Sequence, residues 1–132
     1  MNIFYSPQRI SEIKPIMKYV EENKTQADVI YVYYGSTPAF IYYAPFYHID
    51  STAAVFGADS PRKKIALDSF FDDVKKLKGK SRVWFVFSDI VDCGGCDGDM
   101  RIFFTDYLNK FGRMLDSSQN QGAGAYLYDL SP

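Results

Sequence analysis

Apolar residues follow two different spacings along this chain. Ile13, Ile16, Met17 and Val20 recur every three or four residues, which places them on one helical face and predicts a helix over Ser11 to Asn23. Pro15 falls early enough to be tolerated near the first turn. After Asp28 the run Val29-Ile30-Tyr31-Val32-Tyr33-Tyr34 is β-branched and aromatic with no polar alternation, as in a strand covered on both faces. Gly35 breaks that strand, Ser36 or Thr37 offers a cap, and Pro38 suits the first position of a helix reaching about Tyr47. A short strand is expected within Thr52 to Phe56. Ser60-Pro61 opens a helix through Leu77 that Gly79 stops. Arg82 to Ser88 reads as a second buried strand, Asp99 to Leu115 as a helix with Phe103, Phe104, Tyr107, Leu108, Phe111 and Leu115 turned inward, and Ala125 to Leu130 as a closing strand. The alternation predicts an α/β three-layer sandwich: a largely parallel sheet of three to four strands, covered by helices on both faces.

Composition changes this picture in one respect. Of the 132 residues, 47% are hydrophobic and 23% charged, an ordinary globular balance for a single domain. The 11 Tyr, 11 Phe and one Trp, however, mean that rings must supply much of the core volume. Fifteen basic against 16 acidic residues leave a net charge of -1, so a nucleic-acid partner, which needs clustered cations, is not expected. No run of 18 apolar residues occurs, and residues 1–20 lack the charged start and unbroken apolar stretch of a signal peptide. The polar stretch Asp116 to Gly124 is loop-sized, and no domain boundary is expected within 1–132.

Candidate chemistry gathers where the strands end. Gly35-Ser36-Thr37-Pro38 follows a strand and opens a helix, so it either contacts a ligand or simply punctuates the connection; no Walker-type Gly/Lys pattern accompanies it. In an open parallel sheet, ligands collect at the carboxyl ends of the strands. The candidate binding residues are therefore Tyr34, Gly35, Ser36, Thr37, Ser88 and Asp89. Cys93-Gly94-Gly95-Cys96 lies between a strand and a helix, as a thioredoxin-type redox pair does. Yet only one further strand is expected, and the only later proline is Pro132. One C-x-x-C is too few ligands for a structural zinc. Asp89, Asp92, Asp97 and Asp99 do not have EF-hand spacing, and no metal or cofactor is expected. His48 has no nucleophile motif beside it and reads as a helix-end residue. Tyr42, Tyr43, Phe46 and Tyr47 form an aromatic band able to stack on sugars or rest at a membrane interface, with core packing expected for at least half of it.

The run Asp28 to Phe40 with Tyr42-Tyr43, together with Ile13-Lys14-Pro15-Ile16, Gly79-Lys80-Ser81-Arg82-Val83-Trp84 and Gly124-Ala125-Tyr126-Leu127-Tyr128-Asp129-Leu130-Ser131, resembles the soluble C-terminal region of bacterial multi-spanning glycosyltransferases of the dolichyl-phosphate-mannose protein mannosyltransferase superfamily. The resemblance spans nearly the whole chain. It implies a non-catalytic, extracytoplasmic accessory domain at the C-terminus of a longer membrane protein that takes its sugar from a polyprenyl-phosphate donor. The family's catalytic carboxylates belong to an early loop of the membrane body and have no counterpart here. The implied partners are the membrane-embedded part of the same polypeptide and a sugar or polyprenyl-phosphate-linked substrate. In that compartment Cys93 and Cys96 would form a small loop disulfide, stabilising little because the loop is short. The alternative is a free-standing α/β protein built around a redox or structural C-x-x-C loop.

Overall fold

A computed structural model describes residues 13–33, 36–57, 63–88, 100–120 and 122–132. The elements among them are α1 (Ile13–Asn23), β1 (Val29–Val32), α2 (Thr37–Tyr43), β2 (Val55–Phe56), α3 (Lys63–Leu77), β3 (Val83–Ser88), α4 (Met100–Leu108), β4 (Arg113–Gln119) and β5 (Ala123–Asp129). The expected face of α1 is the buried one, with Ile13, Ile16, Met17 and Val20 all in the core. α2 continues as a 3-10 turn over Ala44–Tyr47 and stops at His48, whose φ of 57° is left-handed. That places His48 at a helix end, as its sequence context suggested. α3 stops before Gly79, which turns with φ 95° and donates its N–H to the Leu130 carbonyl at 2.8 Å. A side chain would be strained at that φ.

Five strands form one mixed sheet in the order β2-β1-β3-β5-β4. β1 pairs parallel with β2 at two positions and with β3 at four, whereas β5 pairs antiparallel at six positions with each of β3 and β4. The expectation of a largely parallel sheet of three to four strands is therefore overturned: most of the pairing is antiparallel, and the described residues form five strands. The cause lies after α4. The 3.6-residue period that runs through Phe104, Tyr107, Leu108 and Phe111 suggested a helix to Leu115, but the helix ends at Leu108 and the chain turns at 109–112. Gly112 makes that turn possible, since a Cβ there would strike the Asp129 carbonyl oxygen and the Leu130 side chain. β4 (Arg-Met-Leu-Asp-Ser-Ser-Gln) then runs along the sheet edge, largely exposed, with a bulge between Met114 and Asp116. An edge strand facing water needs no apolar alternation, so it read as helix end and loop. A hairpin closed by Asn120, whose Oδ1 accepts from Gly122 N and Ala123 N at 3.2 and 2.9 Å, sends β5 back antiparallel into the sheet.

Alternation along the central strands builds two cores. Tyr31, Tyr33, Val83, Phe85, Phe87, Tyr126 and Tyr128 face α3 and α4, meeting Phe70, Val74, Phe104 and Leu108. Ile30, Val32, Trp84, Val86, Ala125 and Leu127 face α1 and α2, meeting Ile13, Ile16, Met17, Val20 and Phe40. No helix among the described residues is long and apolar enough to cross a membrane.

Candidate functional site

The topology selects one end of the sheet. β1 and β3 are parallel neighbours, but the chain leaves β1 for α2 on the aliphatic face, and the helix after β3, α4, lies on the aromatic face. Helices that follow two parallel neighbours on opposite faces mark a topological switch point, the place where ligands bind in open α/β sheets.

Ser36 and Ser88 meet there. Ser36 stands at the N-cap position of α2, yet its side chain makes no capping hydrogen bond. Its Oγ instead spans to β3, accepting the Ser88 N–H at 2.6 Å and donating to the Ser88 carbonyl at 3.3 Å. Both residues are buried, at 0% and 2% exposure. Ser88 Oγ is buried as well and has no hydrogen-bond partner among the described residues. Leaving a buried hydroxyl unpaired costs about 1–3 kcal/mol, and this atom lies at the carboxyl end of β3, past the last β1–β3 pair. Of the expected binding residues, the structure thus joins Ser36 to Ser88 and places Thr37 at the first position of α2. Tyr34, Gly35 and Asp89 lie outside the described residues, as do Cys93, Cys96, Asp92, Asp97 and Asp99. Among the described residues no group of three or more His, Cys, Asp or Glu could hold a metal ion.

The opposite end of the same strands carries a polar cluster that the sequence pattern did not announce. The Asp28 carboxylate is closed to solvent and accepts from Thr25 Oγ (2.6 Å), Thr25 N (3.0 Å), Arg82 Nε (2.6 Å), Arg82 Nη2 (3.1 Å) and Trp84 Nε1 (2.9 Å). Burial alone would raise its pKa; the hydrogen bonds from Arg82, Thr25 and Trp84 outweigh that and hold it at about 2. Both oxygens are fully engaged. The cluster therefore ties the start of β1 to the start of β3 and has no capacity left for a ligand. The local signal was Thr25 three residues before Asp28; the partners 54 and 56 residues away become neighbours only through the Val29–Val83 register.

The aromatic band divides in two. Tyr43 and Tyr47 are partly buried and pack against the α1/α2 core, while Tyr42 and Phe46 stand 65% and 66% exposed. His48 Nδ1 lies 2.7 Å from Glu21 on α1, tying the end of this segment to the first helix.

No family model matches the sequence, and no curated protein or solved structure matches it either. These comparisons therefore identify no family for the chain.

Proposed function

We propose that this domain is a non-catalytic, extracytoplasmic accessory domain of a membrane glycosyltransferase that draws sugar from a polyprenyl-phosphate donor, and that it contacts sugar beyond the carboxyl ends of β1 and β3. The observation that carries the reading is the Ser36–Ser88 junction, with a buried, unpartnered Ser88 Oγ at a topological switch point. The side chains described there are hydroxyls, those of Ser36, Thr37 and Ser88, with no Lys or Arg in Ser36–Thr37 or Val83–Ser88. Neutral donors that also accept suit sugar hydroxyls better than a bare phosphate. The membrane parent rests on the resemblance carried by Asp28 to Phe40 and the three companion segments. Its partner would be the membrane-embedded part of the same polypeptide, and the domain's task would be acceptor recognition or support of that part.

Titration of the isotope-labelled protein with hexoses and with short-chain polyprenyl phosphates tests the binding half. The amide signals of Ser36, Thr37 and Ser88 are expected to move with the sugar; signals that stay fixed throughout would remove the reading. The membrane half is tested by the reading frame upstream of Met1. Several apolar spans of about 20 residues each are expected there, and their absence would leave the domain without its proposed parent.

A further inference from the structure

We infer that the exposed ledge formed by α2 and its 3-10 extension is a second binding site, built for an acidic saccharide. Tyr42 and Phe46 are one helical turn apart, and together with Ile41, 48% exposed, they place three large apolar side chains in water within six residues. Such a cluster marks an interaction surface more strongly than scattered apolar residues do. The ledge is preformed. Tyr42 packs edge-on against Tyr43 at 4.9 Å, Phe46 lies 6.0 Å from Tyr42 and 6.3 Å from Tyr43, and Tyr43 and Tyr47 are anchored on the core beneath. A groove of about 410 Å³ runs along it, lined by Lys14, Tyr42, Tyr43, Phe46 and Tyr47, within the range of small-ligand sites.

The polar groups in this groove select the ligand. The phenol hydroxyls of Tyr42, Tyr43 and Tyr47 make no hydrogen bond with another described residue, so three groups able to donate and accept line an otherwise aromatic wall. A pyranose has complementary surfaces, an apolar C–H face for the rings and hydroxyls for the phenols. Lys14 Nζ sits 5.7 Å over the Tyr43 ring and forms no ion pair among the described residues. On the same helix Lys18 pairs with Glu22 at 3.6 Å, and Glu21 lies 2.7 Å from His48 Nδ1. One unmatched ammonium therefore faces the groove. That charge complements one carboxylate, as on a hexuronate. An anionic lipid surface, which spreads charge over a wide area, calls for several clustered cations, whereas the groove lining holds one, Lys14. This site shares no lining residue with the Ser36–Ser88 junction and stands or falls independently of it.

Titrating the labelled protein with trigalacturonate, with maltotriose as the neutral control and phosphatidylglycerol vesicles as the membrane control, tests the assignment. Trigalacturonate is expected to shift the amides of Lys14, Tyr42, Tyr43 and Phe46 and to bind at least about tenfold more tightly than maltotriose. Tyr42→Ala and Phe46→Ala, at exposed positions, are each expected to weaken binding of both sugars by about tenfold with little change in melting temperature. Lys14→Gln is expected to erase the preference for the acidic sugar while leaving maltotriose unaffected. No shift with trigalacturonate, equal affinity for the two sugars, or vesicle binding that depends on Phe46 would each overturn the proposal.

Discussion

The two faces of this sheet are packed by different means. On the α3/α4 face, rings fill the space: Phe70 meets Tyr31, Tyr33, Phe71, Phe85, Phe87, Phe104 and Tyr107, with centroids 4.4 to 6.4 Å apart, and Phe87 stacks on Phe104. Polar tips are satisfied at the margin, where Tyr31 donates to Asp73 at 2.8 Å and Tyr128 to Asn109 at 2.7 Å. Burial, with Asp73 adding to it, pushes the Tyr31 phenol well above its ordinary pKa, and burial pushes Tyr128 up to about 12. On the α1/α2 face the central strands contribute aliphatic and small side chains with Trp84, which is held by the Asp28 carboxylate, and β2 adds Phe56 edge-on against Phe40. One face is thus secured by many interlocking rings and the other by a polar clasp at one end and the Ser36–Ser88 bridge at the other. The helices that follow β1 and β3, α2 and α4, pack on these unlike faces.

The difference predicts an order of sensitivity. Phe70→Ala removes the hub of the ring network, with an expected loss of about 3–5 kcal/mol in chemical denaturation. A loss no greater than that of Ile16→Val, about 0.5–1.5 kcal/mol on the other face, would contradict the contrast. Asp28→Ala should cost about 2 kcal/mol, because it strands the guanidinium of Arg82 and the indole N–H of Trp84, with solvent reaching Arg82 to soften the loss. Asp28 also sets a pH dependence. Its folded pKa, about 2, lies below the unfolded value of about 3.9, so its stabilisation is complete above about pH 4 and is lost as the pH falls toward 2. Denaturation midpoints of Asp28→Asn measured across that window should lose this part of the acid dependence; an unchanged slope would assign acid sensitivity elsewhere. The smallest effect belongs to a ring tip. Tyr128→Phe keeps the ring and loses the hydroxyl that lies 2.7 Å from Asn109 Oδ1 and 3.4 Å from the Thr105 carbonyl, for about 1 kcal/mol.

The same contrast explains what could be seen in the sequence. β1 and β3 were legible because both their faces are buried, which leaves unbroken apolar runs, and α1 was legible because its one buried face keeps the helical spacing. β4 was not, because an edge strand is selected by its partner and its exposure to water, and Arg113–Gln119 carries no apolar alternation. Missing β4 hid the hairpin, and with it the antiparallel half of the sheet. At the candidate site, Ser36, Thr37 and Ser88 could be marked from strand ends alone. That Ser36 bridges to β3 instead of capping α2 depends on the parallel β1–β3 pairing, which no local pattern encodes.

Hydrogen exchange at the Ser88 amide tests the central claim, that Ser36, at the start of α2, is joined to the end of β3 by a buried bridge. In the wild-type protein the Ser88 N–H, donating to Ser36 Oγ at 2.6 Å, should be protected. In Ser36→Ala it should exchange markedly faster while the Phe85 amide, in the middle of β3, stays protected. Equal protection of Ser88 in the two proteins would contradict the account.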